Sequence, residues 1–596
     1  MLGRILLLAQ ACLPIFAFQS APASGDVVMR AMQDELARSM KKLQLENLQK
    51  PYFVAYHAVE NENCTVTASF GAIVNSYCEP PGTARSRVFS VEVRVGDYAR
   101  DNSNFFAPMM NAGVTRPLIT GGLTVPLDDN YDELRRQLWL GTDSAYKTAL
   151  DTFAKKKAAL EHRTRTDDAP DFSKEPVVTI NEMGSPIAWN RTEIESAAKA
   201  LSAVFRETPG IDNSEVRWSA TRWLARYVNS EGSTYVRAAT LVTVNINADT
   251  QADDGMPLAD YDVIYARTPA ELPSRDEIAK RIRALAMRLD RMRKAALVER
   301  YTGPVLFEGQ AAAEIFLQGL GSYMVGAPRV VVDDSRLDRV YNSNTGLIDR
   351  VGTRVLPDFL TVVDNPALKD VSGTPLFGGY QVDDDGVKSA PTTIVDQGVL
   401  KTLLHTRGLL PGTTHSTASH RGFSASPSNL IVTSSKSLTS EQLKAELIKM
   451  AQQRGKEYGI LVRRMSNMAF ASSLLRSRMI IVTGGSTPGS LSVEPLIEAY
   501  KVYPDGHEEL ARNLEVNGLT LGSFKDIVSV SDVPSVQTTQ VRIMARQPMM
   551  AGSITPSGPS VVSIAIPSLL FEDVGLQRPS GDVPSLPFSK HPSFDK

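Results

Sequence analysis

The 596 residues carry 64 Lys and Arg against 66 Asp and Glu, a formal net charge of −2. That balance provides no electrostatic footprint for nucleic acid. With 42% hydrophobic and 22% charged residues the chain is globular rather than disordered, and its length demands two or more domains.

Residues 1–23 read as a secretory signal peptide. Arg4 supplies a positive charge, Ile5 to Phe18 is apolar apart from Gln10, and Ala21-Pro22-Ala23 supplies small residues for cleavage. The apolar run is short for a bilayer span, which needs about 20 residues. A retained membrane anchor is the lesser alternative. No later apolar stretch reaches that length. The expectation is an exported chain, periplasmic or extracellular, with no transmembrane segment after the signal peptide. Only Cys64 and Cys78 follow the signal, and their spacing fits two strands joined by a turn. An oxidising compartment permits a disulfide between them. Two free thiols stay open as well, because sequence fixes no geometry.

Val27 to Leu45 has helical spacing, with Met29, Met32, Leu36 and Met40 on one face. Tyr52 to Val59, Cys64 to Phe70 and Arg87 to Val95 read as strands. Leu127 to Arg163 is a long helical region, in which Lys155-Lys156-Lys157 reads as a solvated face. Residues 164–176 are polar and contain Pro170, which suggests a linker. Arg191 to Phe205 is helical. Glu215 to Val228 and Thr234 to Ile246 form strands about a turn at residues 229–232. Ser274, with Asp276 and Glu277 behind it, caps an amphipathic helix that runs to about Tyr301. Beyond residue 300 the chain is richer in Gly, Ser and short strands. Ser440 to Arg454 is its clear helix, and Glu498 to Tyr503 with Glu508 to Ala511 is a hairpin. Ile527 to Ser531, Gln540 to Met544 and Val561 to Ile566 are late strands, and 579–596 is a Pro-rich tail. The expected domains are an N-terminal α+β domain over 24–300 and a β-rich C-terminal domain over 301–578.

The chemistry is sparse. A helical zinc peptidase needs two His one turn apart with a Glu beside them. His507-Glu508 is the only His-Glu pair, and it follows a Pro-Asp-Gly turn with no second His in reach. His405, His415 and His420 cluster in sequence and are the candidates for an atypical metal site. They lie in loop-like sequence, so contacts to substrate or structure serve equally well. Asp383-Asp384-Asp385-Gly386 lacks the alternating acids and terminal Glu of a calcium loop, and reads as a tight acidic turn. No Gly-x-Ser-x-Gly elbow and no phosphate-binding Gly-rich Lys loop occurs.

Several segments, in order, resemble the TldD/PmbA family, which is related to zinc peptidases and was once called modulators of DNA gyrase. They are Ala68-Ser-Phe-Gly71, Val93-Arg-Val-Gly-Asp-Tyr98, Tyr301-Thr-Gly-Pro-Val-Leu-Phe307, Gly379-Tyr-Gln-Val-Asp-Asp-Asp-Gly386, Ile394 through Arg407, and Pro567 through Val574. The resemblance covers most of the mature chain, weakly between residues 100 and 290. It implies an α+β fold, with an N-terminal α/β domain followed by a β-rich C-terminal one. It also implies pairing of subunits. One subunit type holds zinc through a helical His-Glu-x-x-x-His and a distant Cys, and the other lacks the metal.

This chain departs from the zinc-bearing pattern. The helix expected to begin near Ala311 contains Glu314 but no His, and no Cys follows residue 78. No cofactor is therefore expected, and no catalytic residue carries over. The expected role is a non-catalytic partner subunit, or a homologue that binds peptides or unfolded polypeptide, as a homodimer or with a paralogous subunit. The alternatives are an active metallopeptidase using His405, His415 and His420, and a structural protein of the cell envelope.

Overall fold

The computed structural model describes residues 25–592 apart from 46, 84–85, 107–122, 163–167, 333–335, 337–341, 343–345, 471–489, 513, 541–555, 580–582 and 590. The expected signal peptide lies outside these residues. So does most of the strand expected over Gln540 to Met544, whose first residue is not in a strand. No described helix is long and apolar enough to cross a membrane.

The N-terminal portion is one large sheet with helices on one face. Helix α1 is Val27–Lys42, capped by Asp26, whose side chain accepts from the Met29 N–H. Strand β1 is Pro51–Ser69, a single 19-residue strand where two were expected. Residues 60–63 read as a polar break, but Glu60 and Glu62 are held by arginines on the same sheet face: Arg87 and Arg226 for Glu60, and Arg222 for Glu62. Strand β4 (Phe105–Phe106) lies outside this sheet and pairs parallel with Val331–Val332, and the remaining strands of the sheet are β2 (Ala72–Cys78), β3 (Ser86–Val95), β5 (Leu123–Thr124), β6 (Thr179–Glu182), β7 (Asn213–Asn229), β8 (Thr234–Gln251) and β9 (Pro257–Ala266). Their order is β5-β3-β1-β7-β8-β6, with β2 on β1 and β9 on β8. Strand β9 was not expected; it pairs antiparallel with β8 from Val242–Ala266 to Gln251–Pro257.

Helices α2 (Tyr131–Glu161), α3 (Arg191–Ala203) and α4 (Arg275–Arg293) join α1 on one face of this sheet. In α4, Ser274 accepts from the Glu277 N–H, and Ile278, Ile282, Leu285, Leu289 and Met292 form the buried stripe. The helix stops at Arg293, short of the expected Tyr301. Lys156 corrects the solvated reading of the Lys run: it is 1% exposed and donates to Asp171 Oδ2 at 2.6 Å and to the Ser103 carbonyl at 2.7 Å. Asp171 comes from the expected linker, which is not loose where described, since Asp171, Phe172 and Ser173 are all buried.

The second half has two further sheets with a helix between them. One is built on Arg300–Phe307, Gly459–Met465, Leu496–Val502, Glu508–Arg512 and Leu569–Gln577. The other is built on Leu360–Asp364, Thr392–Asp396, Asn429–Ser434, Ser535–Thr539 and Val562–Ile566. Helix α5 (Gly309–Gly319) lies in the core shared by both, buried at Ala311, Ala312, Ala313, Glu314, Ile315, Phe316 and Leu317. A helix apolar all round belongs inside. The helix Ser440–Gln453 covers the outer face of the first of these sheets through Leu443 and Leu447.

Candidate functional site

Helix α5 carries the only carboxylate that the metallopeptidase pattern leaves in place. Setting the Glu of His-Glu-x-x-x-His on Glu314 puts Ala313 and Gln318 in the two histidine positions. Glu314 is 2% exposed. Its carboxyl accepts from Gln318 Nε2 at 2.9 Å, Thr539 Oγ1 at 2.8 Å, Asn467 Nδ2 at 3.1 Å and the Tyr261 hydroxyl at 3.4 Å. Burial raises its pKa, and hydrogen bonds from neutral groups only partly oppose that. Gln318 is held from both sides: its amide nitrogen also donates to the Ser466 carbonyl, and its oxygen accepts from the Glu494 N–H. The hydrogens of these donors are aimed at the Glu314 carboxyl, and a methyl group replaces the first imidazole. The residues described around Glu314 do not fit a zinc ion.

The three candidate histidines go to three different partners. His405 is 1% exposed, and its Nδ1 lies 2.9 Å from the Thr406 carbonyl. His415 is exposed, with Nδ1 3.4 Å from Glu175 Oε2. His420 is buried, with Nδ1 2.7 Å from Asp385 Oδ1 and Nε2 2.9 Å from the Gly422 carbonyl. Among the described residues no group of three His, Cys, Asp or Glu side chains is placed to hold a metal ion. Cys64 and Cys78 stand opposite each other in the β1–β2 pairing and are joined as a disulfide.

The acidic turn at 383–386 is more than a surface connection. Asp383 and Asp384 are buried, and the turn seats against the sheet face opposite the helices, where Val382 packs with Phe53, Tyr227 and Tyr235. Asp383 Oδ1 accepts from the N–H groups of Asp385 and Val387, which closes the turn. Gly386 has φ +75°, and a Cβ there would stand 2.7 Å from Tyr227 Cε1. Asp384 pairs with Arg237 of β8 and accepts from Ser557. Burial would raise the Asp384 pKa, but Arg237 holds it low.

His420 is lowered by burial but carried up to about 10 by Asp385. Both its ring nitrogens face acceptors, as an imidazolium requires. His57 of β1, on the same sheet face, behaves oppositely. It is 2% exposed, neither ring nitrogen has a hydrogen-bond partner among the described residues, and burial lowers it to about 4. Alternation within β1 could have flagged His57, but the pairing of Asp384 with Arg237 spans 147 residues and left no local trace.

Beside this turn, β8 and the second half enclose a cleft. A part of about 240 Å³ is lined by Arg237, Tyr380, Asp383, Asp384, His420 and Ser557. A neighbouring part of about 910 Å³ shares Ile180, Ala238, Ala239, Gly379, Tyr380 and Gln381 with it and extends to Arg267, Lys369 and Phe377.

Residues 301–578 match the model of the PmbA/TldA metallopeptidase C-terminal domain. Among curated relatives, a metalloprotease of Methanothermobacter thermautotrophicus is 23% identical over 239 residues, 40% of this chain and 48% of that one. Metalloprotease PmbA of Escherichia coli O157:H7 is 27% identical over 216 residues, 35% of this chain and 42% of that one. A metalloprotease of Methanocaldococcus jannaschii is 36% identical over 73 residues, 12% of this chain and 15% of that one. The chain thus spans less than half the length of each of these relatives.

Among solved structures, a proposed modulator of a DNA gyrase from Thermotoga maritima has a TM-score of 0.54 at 14% identity, covering 92% of this chain and 99% of that one. TldE from Thermococcus kodakarensis has a TM-score of 0.54 at 13% identity with the same coverage. At such identities these structures establish the fold, which is α+β. The domain match, the relatives and the order of the shared segments agree: the chain belongs to the TldD/PmbA family.

Proposed function

We propose that this chain is an exported TldD/PmbA-family protein that works without a zinc ion of its own, as a polypeptide-binding, non-catalytic partner of a metal-bearing subunit. The observation that carries the reading is Glu314. The one residue of the zinc-peptidase helix that this chain keeps is engaged by Gln318, Asn467, Thr539 and Tyr261, beside Ala313 in place of an imidazole. A carboxyl so surrounded has no metal-bound water to deprotonate. Export is supported by the pattern of residues 1–23 and by the Cys64–Cys78 disulfide, which suits an oxidising compartment. A division near residue 300 into an α+β and a β-rich domain accords with the start of the family match.

The test is metal analysis and peptidase assay of the purified mature protein, alone and with a paralogue exported alongside. The expected result is substoichiometric zinc and no cleavage by the protein alone. Stoichiometric zinc together with chelator-sensitive cleavage of unfolded peptides overturns the reading.

A further inference from the structure

Strand β8 pairs with β7 along nearly its whole length, but its outer edge is covered in two pieces. Strand β6 pairs with residues Thr234–Arg237, and β9 pairs with residues Val242–Gln251. Ala238, Ala239, Thr240 and Leu241 have no strand on that side among the described residues. The gap also shows in burial. Residues 237–241 form an unbroken half-buried run in a strand that is otherwise mostly buried. At about 3.3 Å per residue the window is about 13 Å long.

Unpaired backbone on a sheet edge is a template for another strand, and proteins ordinarily cover or block it. Here the window opens into the cleft of about 910 Å³, whose far wall is formed by residues 366–370 and 375–381. The cleft carries Arg267, Lys369 and Lys388 against Asp370. The three residues are exposed, and none of their side chains is ion-paired with a carboxylate among the described residues, although Arg267 Nη2 donates to the Leu376 carbonyl at 2.7 Å and its backbone N–H to Glu271 Oε2. Leu241, Leu368 and Phe377 add apolar wall between them.

We propose that the window at Ala238–Leu241 is a docking slot for a short, extended, acidic peptide. The peptide's backbone pairs with the free edge of β8, and its acidic side chains meet Arg267, Lys369 and Lys388. Three or four residues pair, and the chain enters and leaves sideways, because β6 and β9 block both ends of the edge. Backbone pairing supplies affinity without regard to sequence, and the basic rim supplies the preference. This rests on the polypeptide-binding reading above and names its substrate class and its position.

The experiment uses the mature full chain and fluorescein-labelled, capped pentapeptides alternating Val with Glu or Val with Lys. Binding is read by anisotropy, and assembly by sedimentation. The Glu peptide is expected to bind at least tenfold more tightly than the Lys peptide. Single N-methylation is expected to weaken it tenfold at alternate positions only, since every second N–H of a paired strand faces its neighbour. The double variant K369E/K388E, both sites exposed and so tolerant of change, is expected to retain its melting temperature and reverse the preference.

Absence of saturable binding by the Glu peptide overturns the proposal. Binding that ignores both N-methylation and K369E/K388E overturns it too, while leaving polypeptide binding elsewhere intact. Self-association that K369E/K388E abolishes and no peptide competes also overturns it, by making a second copy the occupant. Zinc-dependent cleavage would defeat the non-catalytic reading without altering any of these binding readouts.

Discussion

His420 holds its Nδ1 2.7 Å from Asp385 Oδ1, with the imidazole buried and the carboxylate mostly so. The pair is fixed at its far ends as well: His420 Nε2 faces the Gly422 carbonyl, and Asp385 Oδ2 accepts from the Arg407 N–H. Each charge therefore has an assigned partner on both sides, the condition under which a buried ion pair is tolerable.

The pair makes stability pH-dependent at both extremes. His420 is raised to about 10, so its contribution is complete below the unfolded value near 6.5 and is lost as pH climbs toward 10. Asp385 is lowered to about 2, so its contribution is complete above about 4 and is lost as pH falls toward 2. Asp383, raised to about 8 by burial and by Asp385, adds a loss that begins near pH 4 and is complete above about 8. Urea midpoints measured from pH 6 to 10 should fall for the native chain. H420Q should be less stable at pH 6, by about 3–5 kcal/mol, and its midpoint should decline less over that range.

Lys156 and Lys155 are neighbours with opposite fates. Lys156 is buried against Asp171, whereas Lys155 reaches Asp151 one turn away in solvent. K156A should cost about 3–5 kcal/mol, because it removes the buried cation that faces the Asp171 carboxylate. K155A should stay within about 0.5 kcal/mol. Paired denaturant curves decide this, and equal losses would contradict the burial of Lys156.

Glu314 anchors four neutral donors, so its removal should be felt structurally rather than catalytically. E314A strands those donors and should cost about 1–3 kcal/mol. E314Q keeps the size and one acceptor, and should cost less. Chelator treatment should leave the melting temperature of the native chain unchanged. A drop after metal removal would show a stabilising ion.

The disulfide Cys64–Cys78 closes a separation of 14 residues. Its reduction, or the C64S/C78S double substitution, should cost about 3 kcal/mol. Thiol titration of the denatured, unreduced mature protein should find no free Cys.

Where local chemistry decides an element, it was legible in advance. Ser274 capped α4 as expected and the turn at 229–232 placed β7 and β8, while α5 was placed by the family resemblance, which put its start near Ala311 where the structure begins it at Gly309. Pairings made over long separations were not legible. Lys156 looks solvated until Asp171 is folded against it, and Glu60 looks like a break until Arg87 and Arg226 arrive. The three histidines show the converse. Closeness in sequence suggested one site, but His405 and His420 are held by their own neighbours and His415 points to solvent beside Glu175.

Arg237 with Asp384 and Arg407 with Glu231 tie the N-terminal sheet to the second half by charge pairs that are sheltered from water. Pulling the halves apart would expose both arginines and both acids at once, so the two walls move together or not at all. The cleft they enclose thus has a set width, like a gauge rather than a jaw. A ligand of the proposed kind would be sorted by its thickness and charge on arrival, with no closing motion to grip it.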